Sequence, residues 1–340
     1  MHASPEHHDH PIHQPTAVTR RQLLAGAAVG VGASVLPMLL GGTPVSAASI
    51  AAPARKRVRL AGFTAFQDSI RTYRSGRWYL VEFSGALPTH AMMVGISNWQ
   101  QQVPVPQNYT GTMAWQIPAQ PKPAAVPVRT ATSLRRQAIA LAVNGVPIFN
   151  ALNNRGEDSN AIGELDGWGG HCGRGDDYHY HVAPLHLQSI VGNKAPIAYA
   201  LDGYPIYGTT EPDGQPMQPL DPQTHGHLWR GGFHYHGTAT YPYTCAAMYG
   251  EITVVDDMIT PQPVPPPMRE ATAPLPGAVI TEFARVGGDN YHLEYTIGGQ
   301  TFRIDYRATL TTLELTFVNP DGTERQERYS RPASRQHLST

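Results

Sequence analysis

One histidine pattern occurs twice in the middle of this 340-residue chain, and it constrains the fold more than any other feature. The first copy runs Leu165-Asp166, Gly170-His171, Tyr178-His179-Tyr180-His181. The second copy runs Leu220-Asp221, Gly226-His227, Phe233-His234-Tyr235-His236. Two copies at nearly constant spacing predict a duplicated supersecondary unit, with its halves related by a pseudo-twofold axis.

A predicted β-hairpin precedes each copy. Asn144-Gly145 separates two apolar runs, and Asp202-Gly203 does the same further along. Such a dipeptide between apolar runs is the strongest short hairpin signal. The repeat halves are therefore expected at about 138–182 and 196–237. Pro147 and Pro205, in the returning strands, predict that these strands lie at sheet edges.

Composition favours a mainly β chain. The 33 glycines and 31 prolines are many, and charged residues make up only 15%. We therefore expect a β-rich domain that is sandwich-like or barrel-like, with strands at 77–83 and 91–96. Alternation in three later segments predicts a small antiparallel β-meander of three or four strands at the C-terminus.

These patterns divide the chain into four predicted segments. They are a signal peptide at 1–47, a main domain at 57–256, a proline-rich linker at 257–276 and a small meander domain at 277–332. The linker boundary rests on the run Pro261-Gln262-Pro263-Val264-Pro265-Pro266-Pro267.

The N-terminus reads as a twin-arginine export signal. A polar leader ends in Thr19-Arg20-Arg21-Gln22-Leu23-Leu24, an apolar stretch extends to Leu40, and Val45-Ser46-Ala47 stands ahead of Ala48 as a cleavage site. Gly and Pro residues dilute the apolar stretch, which favours a cleaved signal over a membrane anchor. The mature protein is expected to be secreted or periplasmic, with no membrane association after cleavage.

The charge balance argues against nucleic acid as a partner. The formal net charge is −1, and the lysines are Lys56, Lys122 and Lys194 alone. No basic stripe exists that would hold a phosphate backbone. The expected partners are a metal ion and an unidentified small-molecule substrate or surface partner.

The repeated histidines indicate a metal site. In a strand, residues i and i+2 share one face, so His179 and His181 point the same way, as do His234 and His236. His171 and His227 add one imidazole to each copy. Three imidazoles suit copper or zinc and leave a coordination position open. The six histidines are compatible with one central site or with two, and the alternative is that they pack in the core without an ion.

Asp166 and Asp221 are the candidate catalytic residues. Each precedes a Gly-His pair, where its carboxylate is placed to orient a ligand imidazole through the far ring nitrogen and to assist metal-activated chemistry.

Cys172 and Cys245 are the two cysteines. In an oxidising compartment they are expected to form one disulfide. The alternative is that Cys172 acts as a thiolate ligand beside His171.

The order and kind of these motifs resemble the YHYH domain family, over roughly Gly62 to Gly250. The resemblance rests on Asn144-Gly145-Val146-Pro147, Gly170-His171, Tyr178-His179-Tyr180-His181, Asp202-Gly203-Tyr204-Pro205-Ile206-Tyr207-Gly208, Gly226-His227, His234-Tyr235-His236 and Tyr241-Pro242-Tyr243. It implies an exported, β-rich domain. The second copy departs from the name-giving motif at Phe233, which leaves its histidines intact.

Three functions remain open at this point. The leading hypothesis is an exported metal-binding protein, with or without metal-dependent catalysis. The second is a non-catalytic extracellular binding or metal-handling module. The third is a structural domain with packed histidines. An open metal position in a cleft would favour an enzyme, and a closed site would favour the binding module.

Overall fold

The computed structural model describes residues 54–85 and 87–332, and these lie in one compact unit. The regular structure in these ranges is mainly β, as predicted. The strands, numbered along the chain, are β1 Lys56–Arg57, β2 Arg71–Ser75, β3 Trp78–Ser84, β4 Asn108–Tyr109, β5 Trp115–Pro118, β6 Pro123–Arg129, β7 Ala138–Ala142, β8 Pro147–Phe149, β9 Gly170–Cys172, β10 Tyr178–Tyr180, β11 Ala198–Ala200, β12 Pro205–Tyr207, β13 Gly226–Trp229, β14 Gly232–His236, β15 Ala247–Gly250, β16 Thr253–Val255, β17 Met258–Thr260, β18 Val279–Gly287, β19 Asn290–Ile297, β20 Gln300–Ala308, β21 Thr312–Val318 and β22 Glu324–Ser330.

Helical structure is short. The two α-helices are α1 Thr130–Ser133 and α2 Gln188–Val191, and single 3₁₀ turns occur at Phe63–Phe66, Gly111–Met113 and Leu185–Leu187. Within the described ranges, no helix has the length and apolar character that a membrane crossing requires.

The central feature is an eight-stranded sheet in the order β13-β14-β12-β11-β7-β8-β10-β9. Its outer strands β13 and β9 do not pair with each other, so this sheet is open and the barrel-like alternative is wrong. The middle strand β7 is buried along its whole length. Ile139 and Leu141 are at most 1% exposed, and burial of each contributes about 1.5–3 kcal/mol.

The two halves of this sheet have the same strand order, read outward from the antiparallel β7–β11 pair at its centre. In each half a hairpin comes first: β7–β8 in one and β11–β12 in the other, both antiparallel, as predicted. The returning strand then pairs in parallel with β10 or β14. An antiparallel strand, β9 or β13, closes each side. The pseudo-twofold axis itself stays a prediction.

The expectation that the proline-containing strands lie at edges is wrong. Both β8 and β12 are interior strands. Pro147 and Pro205 are the first residues of these strands, a position where a missing N–H is tolerated. The parallel pairing begins one residue later, at Ile148 and Ile206.

The predicted strand at 91–96 is also absent. Met92, Met93 and Ile96 are buried there, but Met93 has a φ of 68°, which a strand cannot contain. The apolar residues at 91–96 therefore mark a segment that is buried but has no regular secondary structure. A side chain from another part of the chain fixes its backbone, because the Met93 amide donates to the Asp166 carboxylate at 2.8 Å.

The C-terminal meander has five antiparallel strands, β18 to β22, in sequence order. The three predicted segments form β19, β20 and β21, and with β18 and β22 outside them the expected count of three or four strands is too low. The meander packs on the rest of the unit: the amide of Ile280 donates to Ile96 at 3.0 Å, and Tyr306 Oη donates to the Pro104 carbonyl at 2.9 Å. The predicted segment boundaries stay predictions.

Candidate metal centres

The first histidine cluster, site 1, consists of His171, His179 and His181. His171 on β9 lies directly opposite His179 on β10, so both side chains share one face of the antiparallel pair. His181 follows two residues after His179 and joins that face. The Nε2 atom of His181 is 3.0 Å from that of His171 and 3.1 Å from that of His179.

The second cluster, site 2, consists of His227, His234, His236 and Glu211. His227 on β13 lies opposite His234 on β14. The Nε2 atom of His234 is 3.0 Å from the Nε2 atoms of both other histidines. A Glu211 carboxylate oxygen approaches these three nitrogens at 3.3, 3.1 and 3.6 Å.

The six predicted histidines therefore form two separate groups of three. Sites 1 and 2 lie on the second-outermost and outermost strands at opposite ends of the eight-stranded sheet. Five strand spacings separate β10 from β14, or roughly 24 Å at about 4.8 Å each. A single ion shared by both copies is therefore excluded by this arrangement.

Backbone carbonyls fix the orientation of the rings. The Nδ1 atom of His181 contacts the Asn150 carbonyl at 2.5 Å, and that of His236 contacts the Gly208 carbonyl at 2.7 Å. His179 and His227 use the carbonyls of Asp177 and Pro219 in the same way, at 2.9 and 3.1 Å. A carbonyl oxygen only accepts, so each Nδ1 carries the proton and each Nε2 presents a lone pair.

This tautomer makes the convergence of the Nε2 atoms unfavourable without a cation. In site 1 the Nδ1 protons of His179 and His181 are both held by carbonyls, so their Nε2 lone pairs face one another at 3.1 Å with no proton between them and cannot hydrogen bond. Nitrogen ligands of tetrahedral zinc, at about 2.0–2.1 Å from the ion, stand about 3.3 Å apart. The spacing in both clusters is close to that value, so both donor sets fit a small transition-metal ion.

Burial keeps the imidazoles of His181 and His234 neutral. Desolvation lowers the pKa of His181 to about 3, with a further contribution from His179. Desolvation also lowers the pKa of His234 to about 4, aided by His236 and His227. A metal ligand must be unprotonated, and these side chains are so at neutral pH.

Glu211 supplies a negative charge to site 2. Its side chain is 1% exposed. Burial alone would raise its pKa, but the Gln218 amide, a hydrogen-bond donor at 2.7 Å, and the electrostatic interaction with the three neighbouring histidines outweigh burial and lower the pKa below its usual value. Site 2 is thus a four-donor set with its own anion.

Site 1 instead opens into a cleft of about 170 Å³, here called the site 1 cleft. Apolar lining comes from residues such as Met93, Ile96 and Leu152, and Phe149 stacks on the His179 ring at 3.8 Å. The charged lining residues are Arg135, Arg155, Arg174 and Glu164. Three protein nitrogens and an adjoining cleft are the arrangement of a site that leaves a coordination position for an external ligand.

Asp166 and Asp221 do not orient the imidazoles, so that expectation is wrong. Asp166 accepts hydrogen bonds from the Tyr178 hydroxyl and from the amides of Met93, Trp168 and Gly170. Asp221 accepts from the Gln223 amide and the Thr224 hydroxyl. Short acidic side chains that precede a turn commonly bond to the backbone that follows, and that local role prevails here. Their assignment as catalytic residues stays untested.

The predicted disulfide is not formed in this structure. Cys172 and Cys245 are both free and buried. Cys172 ends β9 in the eight-stranded sheet, whereas Cys245 precedes β15, which pairs with β6 in another sheet. Burial raises the pKa of both thiols well above its usual value, which also disfavours Cys172 as a thiolate ligand.

Sequence reasoning missed Glu211. Nothing around it distinguishes it from a solvated loop glutamate, because it lies sixteen positions before His227 in a loop between β12 and β13. The only signal in the sequence was its distance from the preceding aromatic residue. It follows Tyr207 by four positions, as Asn153 follows Phe149 in the other copy.

Comparison with known proteins gives one match. Residues 114–222 match the family described as YHYH protein, about a third of the chain and a narrower range than the resemblance at 62–250. No curated protein and no solved structure matches the chain significantly. The matched range contains β7 to β12, with all of site 1 and, in site 2, only Glu211. Residues 114–222 of this chain thus belong to the YHYH family.

Proposed function

We propose that this protein binds two transition-metal ions, one at site 1 and one at site 2, and acts outside the cytoplasm. The convergence of Nε2 lone pairs is the observation that carries the proposal. In site 1 backbone carbonyls hold the Nδ1 protons of His179 and His181, so their Nε2 atoms face each other at 3.1 Å. In site 2 the Nε2 atoms of three histidines converge in the same way on one another and on the Glu211 carboxylate. A bound cation turns this repulsion into coordination.

Zinc and copper are the metals that the donors suit best. Imidazole nitrogen binds both, and the Irving–Williams order places Cu²⁺ above the other divalent first-row ions. The Glu211 carboxylate makes site 2 the harder donor set, whereas site 1 offers imidazole alone. Residues 1–53, which carry the twin-arginine signal, lie outside the described residues, so export rests on the sequence.

Elemental analysis of protein purified from the exported fraction tests the proposal. We expect about two equivalents of zinc or copper per chain, one for each cluster. A metal-free protein that does not take up either ion on dialysis would support the packed-histidine alternative instead. Mass spectrometry of the same sample checks export, with a mature N-terminus expected at Ala48.

A second candidate function, metal-dependent catalysis, is favoured by the site 1 cleft. Site 2 has four protein donors and matches a closed binding site, whereas site 1 has three donors beside a cavity of about 170 Å³. If the protein is an enzyme, its reaction takes place at site 1. Removal of the site 1 metal would then abolish turnover, while removal of the site 2 metal would act only through stability.

A further inference from the structure

We propose that the site 1 cleft binds a small organic carboxylate, whose oxygen takes the place at site 1 that Glu211 takes at site 2. The inference rests on the proposed metal function and names the ligand class of site 1. It comes from a comparison of the two loops that follow β8 and β12.

The two loops have the same backbone hydrogen bonds. The amide of Asn153 donates to the Glu157 carbonyl at 2.8 Å, and the amide of Gly156 donates back to Asn153 at 3.0 Å. In the second loop, Glu211 and Gln215 form the first bond at 2.8 Å, and Gly214 and Glu211 form the second at 2.8 Å. An isolated bridge follows in both, at Leu152↔Asp158 and Thr210↔Pro216. Asn153 therefore occupies the backbone position of Glu211.

The ring contacts place the two loops alike against the histidines. Asn150 and Gly208, three residues before these positions, accept the Nδ1 protons of His181 and His236. Phe149 and Tyr207, one residue earlier again, lie against His179 and His234 with ring centroids 3.8 and 5.1 Å apart. A carboxylate thus stands beside three imidazoles in one half, and a neutral amide stands at the same chain position in the other.

Asn153 does not act as a substitute for the missing carboxylate. Its Oδ1 atom accepts from the amides of Arg155 and Glu157 at 2.9 and 3.1 Å, and its Nδ2 atom donates to Glu157 at 3.0 Å and to Glu164 at 3.4 Å. The side chain is thus held by its own loop and by Glu164, and it makes no hydrogen bond to an imidazole of site 1. The position beside the Nε2 atoms of site 1 is left to the cleft.

The charges of the cleft favour an anion. Glu164, its one acidic lining residue, is 3% exposed and is paired with Arg155 at 2.8 Å. Arg135 donates from its Nε atom to the Ala131 carbonyl, and its terminal nitrogens have no acceptor among the described residues. Arg174 has no hydrogen bond or ion pair within the described part of the chain. Two guanidinium groups therefore remain for a ligand, and their planar fork matches a carboxylate.

The lining favours an organic anion over an inorganic one. Met93, Ile96, Phe149 and Leu152 contribute apolar surface, which gains nothing from contact with a fully hydrated oxyanion. The volume of about 170 Å³ is smaller than the ~300–1,000 Å³ of sites for drug-sized ligands, so the ligand is small.

Titration of the full-length Co²⁺-loaded protein tests the proposal. The visible absorption of Co²⁺ reports a change in its ligands, and the probes are butyrate, the neutral isostere butyramide, and inorganic phosphate. We expect a saturable spectral change with butyrate alone. The Co²⁺ at site 2, already bound by Glu211, should contribute a constant background.

Three variants locate the effect. Arg135→Gln combined with Arg174→Gln should weaken butyrate binding about tenfold or more, because two charge-assisted hydrogen-bond donors are lost. Arg230→Gln, on the exposed surface near site 2, should leave it unchanged. Asn153→Glu should abolish the butyrate response by supplying the carboxylate internally. If Asn153→Glu disturbs the loop, the double variant of Arg135 and Arg174 still tests the proposal.

The outcomes separate this inference from the metal proposal. Absence of Co²⁺ binding would overturn the proposed function itself. Bound Co²⁺ with a spectrum that butyrate does not change would overturn only the carboxylate inference. An equal response to phosphate or butyramide would also overturn it, because charge and apolar body together are what the cleft is inferred to recognise.

Discussion

The two halves of the eight-stranded sheet have the same strand order but differ in charge at two matched loop positions. Asn144 and Asn153 in the first half stand where Asp202 and Glu211 stand in the second. Asn144 Nδ2 donates to the Tyr180 hydroxyl at 3.0 Å, whereas the Tyr235 hydroxyl donates to Asp202 at 2.5 Å. The strands thus set where three imidazoles meet, and single loop residues set the charge and the openness of each site.

The largest expected effect comes from removal of one imidazole from each cluster, namely the second histidine of each His-Tyr-His segment. His181→Ala should cost about one equivalent of metal from site 1, and His236→Ala about one from site 2. Each variant should keep the metal of the other site, because positions roughly 24 Å apart act independently. Elemental analysis of each variant measures the loss.

His225→Asn provides the control for these variants. The His225 side chain contacts the Thr238 hydroxyl and makes no hydrogen bond or ring contact with a cluster side chain, and its φ of 65° is one that asparagine adopts readily. Its metal content should match the wild type. Loss of both metals in either single alanine variant would contradict two independent sites.

Glu211→Gln should have the next largest effect. Loss of the negative charge of a donor is expected to lower metal affinity at site 2 by roughly 100-fold or more, at least the upper end of the loss seen for groups that only support the metal ligands. Affinity at site 1 should not change. Competition with a chromophoric chelator measures both constants in one titration.

The matched control is Glu157→Gln, because Gln215 already occupies the corresponding position of the second loop. Glu157 pairs with exposed Arg155 and contacts no imidazole. Neither metal affinity should change in this variant. An affinity loss at site 2 no greater than in this control would remove Glu211 from the donor set.

Asp202→Asn should reduce stability by about 1–3 kcal/mol, because an amide nitrogen would face the Gly250 amide that now donates to the carboxylate at 2.9 Å. Burial raises the pKa of Asp202 above 3.8. A raised pKa means that the ionised form costs more in the folded state, so this stabilising contribution is present below 3.8 and is lost as pH rises through the folded pKa.

The wild-type advantage over Asp202→Asn should therefore be larger in acid than at neutral pH. Urea unfolding of both proteins across this range measures the difference. A gap that widens as pH rises would mean that the hydrogen bonds from Tyr235, Tyr204 and Gly250 outweigh burial and lower this pKa instead.

The smallest expected effect concerns the cysteines. Both are buried and unpaired, so a reductant should leave the melting temperature unchanged, and thiol titration of the unfolded exported protein should find two free thiols. A melting temperature that falls on reduction would restore the disulfide that the sequence predicted.

Strand-level features were predictable from sequence because they depend on local periodicity. Asn144-Gly145 and Asp202-Gly203 marked both central hairpins, and the i, i+2 spacing put His179 with His181. Positions that depend on tertiary contacts were not predictable. Asp166 looked like a partner of histidine but caps a turn, and Met92-Met93 looked like a strand but is an irregular buried segment.

The openness of the two sites was also beyond sequence reasoning. Glu211 enters site 2 because the parallel pairing of β12 with β14 returns a long loop over the histidine face. Neither the spacing nor the residue types of this loop indicate that it lies over the histidines. The proline rule failed for a related reason, since Pro205 begins an interior strand at a point where no ladder hydrogen bond is required.

The parallel pairing of β8 with β10, and of β12 with β14, has a consequence for how such a protein diversifies. Parallel neighbours cannot be joined by a tight turn, so each pair requires a long excursion of the chain. That excursion passes beside the imidazoles on a backbone that supplies its own hydrogen bonds. We therefore predict that a single codon at position 153 or 211 would convert a four-donor cluster into a three-donor cluster beside a cleft, or the reverse, while the sheet beneath stays the same.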